Sequence, residues 1–179
     1  MDNLHFLRYG QNLAFLQAMD NQKITIRKAT IQDVDQILAL INELALYEKA
    51  SHEVTITKEQ LIRDGFGDKP LFWVLMAEFD GEIAGMSFYY IRYSTWKGPC
   101  LYLEDIIVKE KFRGKGIGKA LMNATIEEAV ANDFAMMVWQ VLDWNTPAIE
   151  FYKKYGAEFD DEWINCKLRK NKIIELTNK

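Results

Sequence analysis

The sequence is poor in the residues that most often announce a chemistry or a compartment. It holds two cysteines, Cys100 and Cys166, and two histidines, His5 and His52, in 179 residues. Neither cysteine stands in a C-x-x-C spacing, so the two read as reduced, buried thiols rather than as a staple or a metal-ligand set. Two histidines exclude a His-rich metal site and leave little scope for a Ser-His-Asp arrangement. No metal is expected, and any acid or base must come from other side chains. The longest apolar run, residues 134–142, is interrupted by Gln140 and falls short of the roughly 20 residues a membrane helix needs. There is also no excess of positive charge. Lys and Arg number 22 against 26 Asp and Glu, a formal net charge of -4, which argues against the basic field that nucleic-acid phosphates require. The first 22 residues carry scattered apolar side chains without the basic start and continuous apolar stretch of a secretory signal, so a cytoplasmic protein is expected. That stretch reads as an extension ahead of a domain spanning 23–179: an upstream start, a cloning remnant or a short docking helix.

What is present is a globular balance of 49% apolar and 27% charged residues, enough for one core at this length. Ile24–Lys28 alternates apolar and polar and leads into Thr30-Ile31-Gln32-Asp33, a capping-box-like helix start. The following stripe of Val34, Ile37, Leu38, Ile41, Leu44 and Ala45 predicts an amphipathic helix to about Glu48. Thr57 with Gln60 opens a second short helix, closed by Gly65, Gly67 and Pro70. Residues 72–79 and 82–93 around Asp80-Gly81 predict a hairpin, and 101–108 a third strand. A helix follows the glycines after Arg113. Residues 135–142 read as a near-continuous apolar strand, Asn145 as the cap of a helix ending near Gly156, and 163–168 as a last strand. The late Lys167, Arg169, Lys170 and Lys172 read as a solvated tail. The fold class expected is α/β (α+β), a mixed, mostly antiparallel sheet flanked by helices in a single domain.

Arg113-Gly114-Lys115-Gly116-Ile117-Gly118 is the strongest local signal. Glycines let backbone N–H groups converge on an anion, and a helix starting there adds its positive dipole end. The motif is not a Walker A loop, because Gly118-Lys119 is followed by Ala120, and it lacks the G-x-G-x-x-G spacing of dinucleotide folds. Phosphate binding without kinase or dehydrogenase chemistry is the reading.

Arg-Gly-Lys-Gly-Ile-Gly after a strand resembles the Q/R-x-x-G-x-G/A pyrophosphate loop of the GNAT N-acetyltransferase superfamily, and the expected element order is similar too. Within it, Tyr102-Leu103-Glu104-Asp105, Asp64-Gly65-Phe66-Gly67 and Trp144-Asn145 with Phe151-Tyr152 resemble the diamine acetyltransferases, over about residues 24–168. Tyr93-Ser94-Thr95-Trp96-Lys97-Gly98 and Val141-Leu142-Asp143-Trp144-Asn145 are more similar to the thialysine N-epsilon-acetyltransferase branch, since the polyamine branch has an acid where Ser94 stands. The resemblance implies acetyl-CoA as co-substrate, a small amine as acceptor and a homodimer. It implies that Ile106, Ile107 and Val108 offer backbone groups to the pantetheine and thioester. Arg113, Gly114, Lys115, Gly116, Ile117, Gly118 and Lys119 would bind the pyrophosphate, and Asn145, Thr146, Pro147 and Ala148 would lie against the cofactor. Val138, Trp139 and Gln140 would border the acceptor channel, with Leu142 and Asp143 near it. Tyr47 and Glu48 would hold the acceptor amine together with Glu104 and Asp105. Trp96 would be a channel wall.

Acetyl transfer from a thioester to an amine needs an unprotonated amine, a polarised carbonyl and a proton for the leaving thiolate. Glu104, acting through water as its family position suggests, is the candidate base. Tyr152 is the candidate general acid. Against these stand a half-buried helix tyrosine and acids that pair with an arginine across the sheet, but a carboxylate in an otherwise apolar strand is costly unless it is paired or lines a wet cleft. Ser94 and Thr95 are expected to donate to an acceptor carboxylate, favouring an amino-acid amine over spermidine. A non-catalytic CoA-binding module and a protein N-acetyltransferase are the alternative readings.

Overall fold

The computed structural model describes residues 24–178, so the expected N-terminal extension lies outside the described residues. The chain divides into two compact units at Gln140/Val141. The first holds a five-stranded sheet in the order β1-β2-β3-β4-β5. Its strands are β1 (Ile24–Lys28), β2 (Trp73–Phe79), β3 (Glu82–Ser94), β4 (Gly98–Val108) and β5 (Met137–Val138), and its helices are α1 (Val34–Tyr47), α2 (Lys58–Phe66) and α3 (Ile117–Ala131). The first three pairings are antiparallel and β4 with β5 is parallel, as the mixed, mostly antiparallel sheet required.

The local signals act as their chemistry demands. Asp80 and Gly81 take φ of 51° and 81°, the pair of positive angles that lets a two-residue turn follow the twist of its strands. Thr57 caps α2 by accepting from Gln60 N at 3.2 Å, while the Gln60 side chain accepts from Thr57 N at 2.9 Å. On one face of the sheet Val34, Ile37 and Leu40 of α1 meet Leu61, Phe72, Val74, Met76, Met86 and Ile107 in a buried cluster. On the other face α3 buries Leu121, Met122, Thr125 and Ala129, and Ser87 and Thr125 share a hydrogen bond of 2.6 Å in an otherwise apolar layer. The stripe at three- and four-residue steps is therefore core on both helices.

Two expected strands are corrected. The run 135–142 is a strand only at Met137–Val138, because β4 offers it just two partners, Leu101 and Tyr102. Residues 163–168 form no strand and are exposed throughout; apolar, β-prone residues make a strand only where another edge completes their hydrogen bonds. Lys167, Arg169, Lys170 and Lys172 are all exposed, as a solvated segment requires, and Lys170 and Lys172 lie in α5 (Lys170–Thr177) with Arg169 as its N-cap. That helix and α4 (Thr146–Lys153) are the regular elements of the second unit.

β1 is tied to the start of α1 by Arg27, whose guanidinium donates to both Asp33 carboxylate oxygens at 2.8 Å and, through Nε, to Glu78 at 2.7 Å. Asp33 also accepts from the Thr30 backbone N–H at 2.7 Å. The Arg27 bond, against an opposing burial effect, pulls the Asp33 pKa down from the usual 3.8 to about 2. A carboxylate held below its unfolded value contributes stability that is present above pH 3.8 and lost as pH falls towards 2. Asp33→Asn should cost about 1–2 kcal/mol in urea unfolding near pH 7, allowing for the solvent reaching Arg27, with the difference from wild type closing at low pH. An equal difference at pH 7 and pH 2.5 would contradict this.

Candidate active site

β4 carries the feature that organises the site. Phe88 pairs with Asp105 and Tyr89 with Leu103, so Glu104 is an extra residue on β4, a bulge. In a regular ladder Leu103 and Asp105 would point to one face. Leu103 pairs with Tyr89, whose hydroxyl donates to Glu128 of α3, whereas Asp105 pairs with Phe88, which packs on the α1 side. The bulge thus turns Asp105 towards α1.

There Asp105 meets a cavity of about 340 Å³, walled by Ile41, Leu44, Val54 and Ile56 and edged by Glu48 and Glu53. The end of α1 shapes it. Lys49 takes φ of 59° and Ala50 N donates to Ala45 O at 2.8 Å, a left-handed stop that swings the chain into the 51–53 turn and the 54–56 wall. Burial, then the charges of Glu104 and Glu48, push the Asp105 pKa up to about 7. Burial also pushes Glu48 and Glu104 above the usual carboxylate value. Among the described residues no arginine pairs with Glu104 or Asp105, so the cross-sheet ion pair is absent there. An apolar slot with acids at its mouth suits an alkyl chain ending in an ammonium.

The glycine loop follows the C-terminal end of β4, a few residues past Asp105. Gly114 and Gly116 take φ of 77° and 83°, and Gly116 is the N-cap of α3 with no side chain to cap it. A Cβ at Gly116 would meet only the Ile24 side chain, at 4.0 Å, and one at Gly114 would meet nothing. Backbone shape rather than crowding demands glycine at both, ahead of a 15-residue helix whose first N–H groups carry the positive end of its dipole. Arg113 Nε donates to Val108 O at 3.3 Å, and its guanidinium lies 5.2 Å from the centre of the Tyr47 ring. Tyr47, expected beside the acceptor, therefore also packs against the loop. Lys115 lies over Phe79 at 4.6 Å. Because β5 pairs only with Leu101 and Tyr102, the outer edge of β4 over 103–108, including Ile106, Ile107 and Val108, has no strand beside it among the described residues. Half its backbone groups point outward, as amide partners for a ligand that lies along it.

The remaining expected site residues lie on the β3–β4 hairpin, on and after β5, and in the second unit. Ser94, Thr95 and Trp96 sit at the β3–β4 hairpin tip, six residues along β3 from Phe88, roughly 20 Å at the rise of a strand. The Ser94 hydroxyl accepts from the N–H groups of Trp96 and Lys97 at 3.3 and 3.2 Å, and so holds the turn. Val138 is in β5, with Trp139 and Gln140 just after it. In the second unit Leu142 and Asp143 are exposed ahead of α4. Asn145 caps that helix by accepting from Ala148 N at 3.4 Å, with Thr146 and Pro147 in its first turn. Tyr152 is buried on α4, with its ring edge-on to Phe151 at 5.4 Å. Sequence reasoning missed Glu53 and the 54–56 wall; the signal there was an acid followed by Val54 and Ile56 in alternation just past a helix stop.

The fold is shared with solved acetyltransferase structures. Residues 34–157 match the acetyltransferase (GNAT) family, and the chain belongs to that family. It is 43% identical over 143 residues to a thialysine N-epsilon-acetyltransferase of Bos taurus, covering 75% of this chain and 84% of that one. It is 40% identical over 167 residues to the protein of the same name from Sus scrofa, covering 87% and 98%. Among solved structures, an aminoglycoside N-acetyltransferase, AAC(6')-Iy in complex with CoA, superposes with a TM-score of 0.68 at 20% identity, covering 83% and 97%. The chain is an N-acetyltransferase of the GNAT class. No helix among the described residues is long and apolar enough to cross a membrane.

The acid cluster has a pH signature. Asp105 holds its proton to about pH 7 when folded against 3.8 when unfolded, so it removes stability as pH rises through that window. Carbon-13 NMR should show a carboxyl titrating near 7 that Asp105→Asn abolishes and Glu104→Gln moves down, and Asp105→Asn should be more stable than wild type above pH 7 but not near pH 4. Titration of Asp105 at the ordinary carboxylate value would contradict the cluster's electrostatics.

Proposed function

We propose that this enzyme transfers acetyl from acetyl-CoA to the terminal primary amine of a small amino-acid-like acceptor such as thialysine, by direct attack and without an acetylated enzyme. The observation that carries this reading is the apolar, acid-edged cavity ending on Asp105, one bulge away from a free strand edge that leads to an anion-binding glycine loop. The name shared by the relatives above supports the acceptor class.

The loop from Arg113 to Lys119 would hold the pyrophosphate, and the free edge at Ile106 to Val108 the amide-bearing arm and the thioester, whose carbonyl the Ile106 N–H polarises. Asn145 to Ala148 would border the same ligand. In the cavity Glu48 and Asp105 attract the ammonium. Attraction alone would hold the amine protonated, so the proton needs a strong enough acceptor. An alkylammonium titrates near 10.4. Transfer to an ordinary aspartate is uphill by more than about 6 pK units, whereas transfer to one at about 7 is uphill by about 3, a saving of roughly 4 kcal/mol. The Glu104–Asp105 pair, titrating as a unit, is the acceptor, with Glu104 acting through water. The freed nitrogen forms the C–N bond, the C–S bond breaks as the thiolate takes a proton from Tyr152, and the second proton that the nitrogen sheds on becoming an amide is carried by water to restore the phenol.

Thiol release from acetyl-CoA tests this in wild type and Tyr152→Phe, with thialysine and spermidine as acceptors. Wild type should prefer thialysine, with acetylation at the terminal nitrogen by mass spectrometry, and Tyr152→Phe should bind acetyl-CoA normally while turning over about 100-fold more slowly. A preference for spermidine would overturn the acceptor; turnover of Tyr152→Phe within a few-fold of wild type would overturn the acid.

A further inference from the structure

Resting on that acceptor reading, we infer that Arg92 anchors the carboxylate of the acceptor and so decides between an amino acid and a plain diamine.

On the α1 side of β3 and β4 the side chains stand in rows: Met86 with Ile107, Phe88 with Asp105, Tyr90 with Tyr102, and then Arg92. The first rows face the α1 core, where Met86 and Ile107 are buried and Phe88 and Tyr90 pack against them. The Tyr90 and Tyr102 rings stack with centroids 4.9 Å apart. The Arg92 guanidinium carbon lies 5.9 Å from the centre of the Tyr102 ring, so its side chain folds back along the strand towards the acids. After burial, Glu104 raises the pKa of both tyrosines and Arg92 lowers it, which puts both charges beside the one aromatic pair. Yet among the described residues Arg92 makes no ion pair and no hydrogen bond. The result is a short aromatic floor with carboxylates at one end and an exposed planar donor fork at the other.

That polarity matches a zwitterion. The Asp105 row and the Tyr90–Tyr102 row are two residues apart on β3, roughly 7 Å. The six bonds from the terminal nitrogen to the carboxylate carbon of a lysine-like amino acid span roughly 7–8 Å at about 1.2 Å of advance per bond. An amine seated at Asp105 therefore brings its carboxylate to the guanidinium drawn over Tyr102, where a bidentate contact is available. A diamine or polyamine brings a second ammonium to the same place and meets a like charge. Ser94, whose oxygen accepts from two turn amides and whose hydroxyl hydrogen remains a donor, lies two residues further out, so the guanidinium is the donor closer to the acids.

The test compares kcat/KM for thialysine and for its descarboxy counterpart, bis(2-aminoethyl) sulfide, in wild type, Arg92→Gln and Arg92→Lys, with KM for acetyl-CoA as control. Arg92→Gln should lose roughly 10- to 100-fold on thialysine through a raised KM, the range for a hydrogen bond to a charged group. It should keep or gain activity on the descarboxy amine and leave KM for acetyl-CoA unchanged, and Arg92→Lys should recover part of the loss. A loss equal on both acceptors, or on neither, would make Arg92 only a cation packed on Tyr102 and overturn the inference. Wild type acetylating the descarboxy amine but not thialysine would overturn the acceptor reading itself, and this inference with it.

Discussion

Glu104 has no partner on β3, and that one unpaired residue sets the geometry around it. It moves Asp105 from the α3 face to the α1 face, where the turn after α1 can wall a cavity against it. The same strand that bulges also parts from β5 after Tyr102, which leaves its edge free up to the glycine loop. Acid-edged cavity, free edge and glycine loop are thus three stations along a single strand, and in the proposed reading a ligand running from loop to cavity follows β4.

The charges are distributed unevenly, and the two groups of acids serve opposite ends. Asp33 and Glu78 surround Arg27 and stabilise the junction of β1 and α1. Glu48, Glu104 and Asp105 share a site without an arginine partner among the described residues, and burial, with the charges of Glu104 and Glu48 added to it, raises Asp105 to about 7. The first group strengthens the scaffold, while the second weakens it above neutral pH and, in the proposed reaction, supplies the acceptor for the ammonium's proton.

Much of this was legible in the sequence where the cause is local. Asp80-Gly81, the Thr57–Gln60 box, the Asn145 cap and the Gly114–Gly116 turn each depend on a few adjacent residues, and each acts as its residue types require. The strands at 135–142 and 163–168 misled because apolar content says nothing about whether a partner edge is available. The bulge was half visible: an acid in the apolar run of β4 marked Glu104 as anomalous, but only pairing against β3 shows which face Asp105 takes. Ser94 was read as a donor to a ligand, and nothing in the sequence signalled that its oxygen also accepts from two of the turn's own amides, a bond that depends on how the turn closes. Arg92 drew no notice because its meaning lies in Tyr102, ten residues away in sequence and beneath it in space.

Calorimetric titration of CoA into wild type and a folded Gly116→Glu variant tests the account at its root, since cofactor binding at the start of α3 precedes every other step. The glutamate would place bulk and negative charge where the loop's N–H groups converge, at a backbone angle that side chains rarely adopt. The account predicts measurable CoA affinity in wild type and its loss in the variant, with the circular-dichroism spectrum unchanged. Wild-type affinity in the folded variant would contradict it.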